Sequence, residues 1–341
     1  MANAALGKAQ QRGLSARALI AVARQRELSL IVLMAALGIF VVIQAPQFLS
    51  RGNLTTLLVF VSIIAVAAVG QALVVITRNV DLSVESTIGL VALVVAESLS
   101  QWQLSVPVAW ATGLGLGLLL GVVNGVIVTV FRVPAIVATL GTLSIYRGFA
   151  FVLAGGTQVT LTELPQGYTD GAQATVFGVP LFVLIAVAVT VAIGIGVRQT
   201  TFGRQVYAVG SHPEAAEALG IRARVVVLSV FALCGLLAGL AGIMWGIQFG
   251  TINATAANGV VLQVIAAVVV GGVNIFGGSG SVFGAALGAL FLGLISNSLV
   301  VLRLSQFWLQ AIYGAVILAA VSADALLVRR VGRIVAERRR R

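Results

Sequence analysis

The sequence predicts an all-α fold: a polytopic membrane bundle of about ten helices with a broken or re-entrant segment in each half. Three observations carry this. The chain is 60% hydrophobic and only 9% charged, against about 25% charged residues in a soluble domain. Apolar runs recur at the length of about 20 residues needed to cross a bilayer. Arginines gather in alternate links between those runs, as the positive-inside asymmetry requires.

Residues 1–27 carry Lys8, Arg12, Arg17, Arg24 and Arg26, and no small-residue cleavage site follows the apolar run 28–43. They read as a basic cytoplasmic tail before a retained first span. The spans expected in the membrane domain, 28–328, are 28–43, 54–77, 83–100, 107–130, 134–153 and 176–197. After a polar interval at 198–224 come 225–249, 260–276, 282–302 and 307–328, and residues 329–341 form a second basic tail. Arg78, Arg132 and the interval 198–224 fall on the cytoplasmic side with both tails. The link 155–175 falls outside and holds Glu163 and Asp170 with no Lys or Arg. Arg51 and Arg303 land on the outer side against the trend.

A net charge of +11 would suggest nucleic acid for a soluble protein. Here arginines in short links and tails meet anionic headgroups, so the expected partner is membrane lipid and not nucleic acid. The 39 glycines suit close helix approach in lipid. The single cysteine, Cys234, excludes an internal disulfide, and with the single His212 it supplies no metal motif.

Residues 116–134 and 287–307 echo one another, with Asn124 ten residues before Pro134 and Asn297 ten before Phe307. Residues 79–83 pair loosely with 273–278, and both interrupt an apolar run. Two readings stay open: repeats enclosing a transport pathway, or the self-likeness of glycine-rich apolar sequence.

The polar interval contains Ser211-His212-Pro213-Glu214, an S-x-x-E capping box in which Ser211 caps a short helix and Glu214 reaches back. Pro213 fits the first turn, and Gly220 ends the helix. Ala215, Ala216, Ala218 and Leu219 offer a small apolar surface beside Glu217. About two turns of helix need a partner surface, and small residues suit protein docking better than lipid.

At this point the sequence resembles the sugar-import permeases of ATP-binding-cassette transporters, the ribose, xylose and arabinose group. FGRQVYAVGSHPEAAEALGI (202–221) resembles that family's cytoplasmic coupling segment. TRNVDLSV (77–84), PAIVATLGTLSIYRGFAFVLAGG (134–156) and VIAAVVVGGVNIFGGSGSVFGAALGAL (264–290) resemble three further signatures, in order. TRNVDLSV and GGVNIFGGSGS lean toward the rhamnose and autoinducer branch. Glu85 stands where the family usually has glycine, and Gln263 lies near a common glutamate. The resemblance implies an import subunit working by alternating access. Its partners would be separate ATP-binding subunits, an extracytoplasmic sugar-binding protein and a second permease copy or paralogue, in a bacterial plasma membrane. ATP and Mg would belong to the partner ATPase. Ser211, Pro213, Glu214, Ala215, Ala216, Glu217, Leu219 and Gly220 would couple to it.

Arg78 reads as a hydrated residue at the end of the second span, and a re-entrant role for Asp81–Ser83 follows from the resemblance. Asp81, Ser83, Asn124, Thr139, Thr142, Asn274 and Asn297 are pathway candidates, because a sugar exchanges water hydrogen bonds for hydroxyl and amide partners. For each, the competing reading is an interhelical hydrogen bond, worth about 0.6 kcal/mol. No G-x-x-x-x-G-K-[ST] loop occurs, and Lys8 is the only lysine, so this chain has no phosphate loop for ATP. The competing class is an ion-gradient secondary transporter of small polar solutes. It would need paired ionisable groups deep in the spans, whereas the candidates here sit near span ends. A membrane enzyme would need a catalytic constellation that one histidine and one cysteine do not supply.

Overall fold

The structure is a computed structural model that describes residues 27–319 together with Ser322. The expected tails at 1–26 and 329–341 and most of the stretch 320–328 lie outside the described residues. The helices are α1 Glu27–Gln44, α2 Arg51–Ile76, α3 Val84–Ser100, α4 Val106–Thr129 and α5 Ala135–Ala154. A single turn, α6 Gln166–Thr169, precedes a minimal hairpin of β1 Thr175–Val176 and β2 Val179–Pro180. Then come α7 Leu181–Gln199, α8 Thr201–Ser211, α9 Pro213–Ala218, α10 Ala223–Phe249, α11 Val260–Val270 and α12 Val282–Val301. The last is α13 Trp308–Ala319.

Among the described residues seven helices, α1, α2, α4, α5, α7, α10 and α12, are long and apolar enough to cross a membrane. The other three expected spans are occupied by α3, α11 and the described part of α13. The eighth expected span stops early: α11 has only 11 residues, because Gly271 and Gly272 open a turn where helix was expected to reach Phe276. Three helices, α2, α4 and α12, are closed by an arginine with positive φ: Arg78 at 65°, Arg132 at 58° and Arg303 at 57°. The echo between 116–134 and 287–307 therefore extends to how each helix ends.

The most apolar window of α2 is 94% buried and that of α1 11%, so α2 is the axis of the bundle and α1 its edge. α10 packs on α4, α3 and α2. Its contact with α4 is a glycine seam. A Cβ on Gly117 would meet Gly235 O at 2.5 Å and Gly239 Cα at 2.7 Å, and one on Gly125 would meet Leu228 Cα at 3.1 Å. Residue numbers rise on one helix as they fall on the other, so the two run antiparallel with backbones touching, the use of small residues that lipid favours.

That alternation sorts the links. The ends of α2, α4 and α7 and the start of α10 share one end of the bundle, which carries Arg78, Arg132, Arg198, Arg204, Arg222 and Arg224. At the opposite end Val159 bridges Ile252, and Tyr168 donates its buried hydroxyl to Ile243 O at 3.3 Å. The link holding Glu163 and Asp170 thus packs on the far end of α10. Asn53 at the start of α2 exchanges hydrogen bonds of 3.0 and 2.9 Å with Asn297 near the end of α12, so Arg51 and Arg303 also lie there.

Candidate functional site

The arginine end is built around α8. Thr200 starts it, its Oγ1 accepting from Gly203 N at 3.2 Å. Val206, Val209 and Gly210 are buried at the i, i+3, i+4 spacing of one helical face. This 11-residue helix lies in the polar interval at 198–224, where only the short helix after Ser211 was expected, although the cap and the spacing were its signal. Gly210 allows no side chain, because a Cβ would run into Ile76 O. At the C-terminus of α8, Arg78 donates from Nε to Gly210 O at 2.6 Å and from Nη2 to Ser211 O at 2.5 Å. Arg78, expected to be merely hydrated, binds α8 because left-handed backbone turns its side chain toward those free carbonyls. Tyr207 donates to Gly280 O at 2.9 Å, and Gly278 N donates to Ile76 O at 2.9 Å. So α8 is tied to both chain breaks, 77–83 and 271–281, and Asn274 lies in the second, its side chain accepting from Phe276 N.

The cap of α9 differs from expectation. Helix α8 runs through Ser211, whose backbone is therefore helical, and His212 takes the capping position. His212 Nδ1 accepts from Ala215 N at 3.5 Å. The other end is as expected: Gly220 has φ +83°, with Gly220 N bonded to Glu217 O and Ile221 N to Ala216 O, a Schellman closure. Ala216, expected on the docking surface, faces inward at 3% exposure. Glu214, Ala215 and Glu217 face outward, Pro213 is half-buried, and Leu219 is 81% exposed.

The breaks hold a buried polar group. Asp81 Oδ1 accepts from Ser83 N at 2.9 Å and Ser83 Oγ at 2.7 Å. Asn124 donates to Ser83 Oγ at 2.8 Å and accepts from Tyr146 Oη at 3.2 Å. Gln71, with its amide turned to pair both ends, brackets the Asp81 peptide at 3.1 and 3.2 Å. Thr139 donates to Val80 O at 3.2 Å, and Thr142 lies one turn further along α5. Five of the seven pathway candidates are thus gathered in one place, where Asp81, Ser83 and Asn124 bond to one another. Asn274 and Asn297 lie elsewhere, toward opposite ends.

The link between α10 and α11 is clamped from both sides. Glu85 Oε2 accepts from Gly259 N at 2.9 Å and Val261 N at 3.3 Å, which caps the half-helix α11 with a carboxylate. Arg147 Nη1 donates to Ala254 O at 2.9 Å and Ala256 O at 2.8 Å. Its Nη2 lies 3.8 Å from Glu85 Oε1, a Coulombic contact too long for a hydrogen bond. Arg147 was not singled out in the sequence.

Above this clamp is a chamber of about 610 Å³. Its polar wall includes Asn53, Gln248, Asn258, Gln263, Asn297 and Gln310. Phe60, Phe249 and Tyr313 add aromatic surface, with Phe60 edge-on to Phe249 at 6.5 Å. Among the described residues no charged side chain lines it. Of the wall residues, only Asn297 was a pathway candidate, and Gln263 was noted only as a departure. The repeated amides, such as Gln306 and Gln310 one turn apart, were the available signal.

The family described as branched-chain amino acid transport system, permease component, matches residues 53–321. The autoinducer 2 import system permease protein LsrC of Escherichia coli O9:H4 (strain HS) is 38% identical over 281 residues, 82% of this chain and 81% of that protein. The protein of the same name from Salmonella typhi is 36% identical over 302 residues, 89% of this chain and 86% of its own. No solved structure matches.

Proposed function

The chain belongs to the permease-component family of branched-chain amino acid transport systems, and on that premise we propose how its two ends divide the work of import. It is a transmembrane subunit of an ATP-binding-cassette importer, and its relatives are permease transport subunits. The proposal adds orientation, partners and cargo. The arginine end is cytoplasmic, with both termini on that side of a bacterial inner membrane. ATP and Mg act on a separate ATPase that docks on α9. A binding protein delivers substrate to the opposite end, and a second permease copy or paralogue completes the pathway. The cargo is a monosaccharide or related small polyol, the class suggested by the sugar-permease resemblance, and the relatives' names point to autoinducer 2 import.

The observation that carries this reading is the anchoring of α8 to both chain breaks. A push on α9 reaches α8 directly, and Arg78 and Tyr207 pass it to 77–83 and 271–281. The Asp81 group closes the first of these, so opening the cytoplasmic end would require those bonds to be exchanged.

Uptake into proteoliposomes containing the permease, the ATPase and the binding protein is expected to require ATP. Uptake driven by an ion gradient through this chain alone would overturn the reading in favour of a secondary transporter. Leu219→Asp replaces the exposed leucine that caps the C-terminus of α9 without touching its packed side. It is expected to weaken ATPase co-purification about tenfold, or about 1.4 kcal/mol, with thermal stability unchanged.

A further inference from the structure

We infer that the chamber between α2, α12, α13 and the α10–α11 link is a binding site for an uncharged, polyhydroxylated small molecule, with Gln263 as its anchoring donor. The inference rests on the permease reading and assigns that permease its substrate site. Among the described residues four buried side-chain atoms lack a hydrogen-bond partner, and of the residues that carry them only Gln263, through its Nε2, lines the chamber. Gln263 is 5% exposed. A buried amide left without a partner is costly unless a ligand or water meets it. The wall around it offers amides and aromatic surface, which suit hydroxyls and the CH faces of a sugar ring. An amino acid, by contrast, brings an ammonium and a carboxylate, and among the described residues no wall residue carries a charge. The nearest pair, Glu85 and Arg147, is committed to the backbone of residues 254–261. The chamber therefore selects against a zwitterion, although the family is described by branched-chain amino acid transport.

The test uses the full-length permease alone in nanodiscs. Saturation-transfer NMR is read with D-ribose, L-rhamnose and erythritol as uncharged probes and L-leucine as the zwitterion. At least one polyol is expected to give a signal that Gln263→Leu reduces fivefold or more, while leucine gives none. Gln263→Leu removes an unpaired donor at nearly constant volume, so its unfolding midpoint is expected to stay level or rise. A residue needed only for structure would lower the midpoint instead. Gln310→Leu, on the part of the wall that α13 supplies, is expected to reduce the same signal. The proposal is overturned if polyol signals survive both variants, if no polyol signals on the wild type, or if leucine gives a Gln263-dependent signal. None of these readings involves ATP or a partner, so they stand apart from the uptake experiment that tests the importer reading.

Discussion

Arg147→Met is expected to destabilise the bundle by about 3–5 kcal/mol, the cost of leaving one member of a buried ion pair without the other. The substitution keeps most of the side-chain volume but removes two hydrogen bonds to Ala254 O and Ala256 O and leaves Glu85 without its cation. Glu85 is then a buried carboxylate stabilised only by the N-terminus of α11. The check is the thermal unfolding midpoint of the purified chain in detergent, with Glu85→Gln and the double variant completing a cycle. Glu85→Gln alone also leaves a partner stranded and should destabilise. The double variant should recover part of the loss, because no charge remains buried. Wild-type stability for Arg147→Met would show that the pair is not formed in the folded protein.

Gly121→Leu is expected to rival it. A Cβ at Gly121 would already run into Phe231 O and lie 2.9 Å from Gly235 Cα. Both are backbone atoms, so no side-chain rotation relieves the overlap, and α4 must move off α10. Overpacking a side-chain core costs about 1–3 kcal/mol; a backbone seam has less freedom to yield. Gly115 lies on the same helix with open space around it, which makes Gly115→Leu the control. Loss of stability is expected for Gly121→Leu, and near-neutral behaviour for Gly115→Leu. Equal effects would mean that glycine is needed on α4 for some reason other than the seam.

Much of the bundle was legible because lipid imposes a length and polarity rule that acts locally. The ends of α4, α5, α10 and α12 fall within about two residues of the hydropathy runs, inside the usual scatter of helix boundaries. The closure of α9 was equally legible, since a glycine in left-handed backbone is a one-residue signal. The cap was not. Ser211 and His212 are adjacent, and the choice between them depends on where α8 stops, which tertiary contacts with Arg78 and Ile76 decide. The chamber was the least legible feature. Its wall joins Asn53 to Gln310 through five separate segments, and no periodicity reports that Asn53 and Asn297 will pair across the fold. Arg147 was missed for a related reason: its partners are two carbonyls and a carboxylate far away in sequence. The Asp81 group sits between these cases. Its members are polar interruptions visible in apolar runs, but only the fold shows that they satisfy one another.

The 27-residue α10 is a rod about 40 Å long with one tip beside α9 and the other, Gln248 and Phe249, on the chamber wall. The glycine seam grips its middle through α4, where it can serve as a fulcrum. A tilt of about five degrees would shift one tip by about 3.5 Å relative to the other, comparable to the width of a hydroxyl. A small rocking of this single helix could therefore be felt as a change in chamber shape, with no bend required along its length.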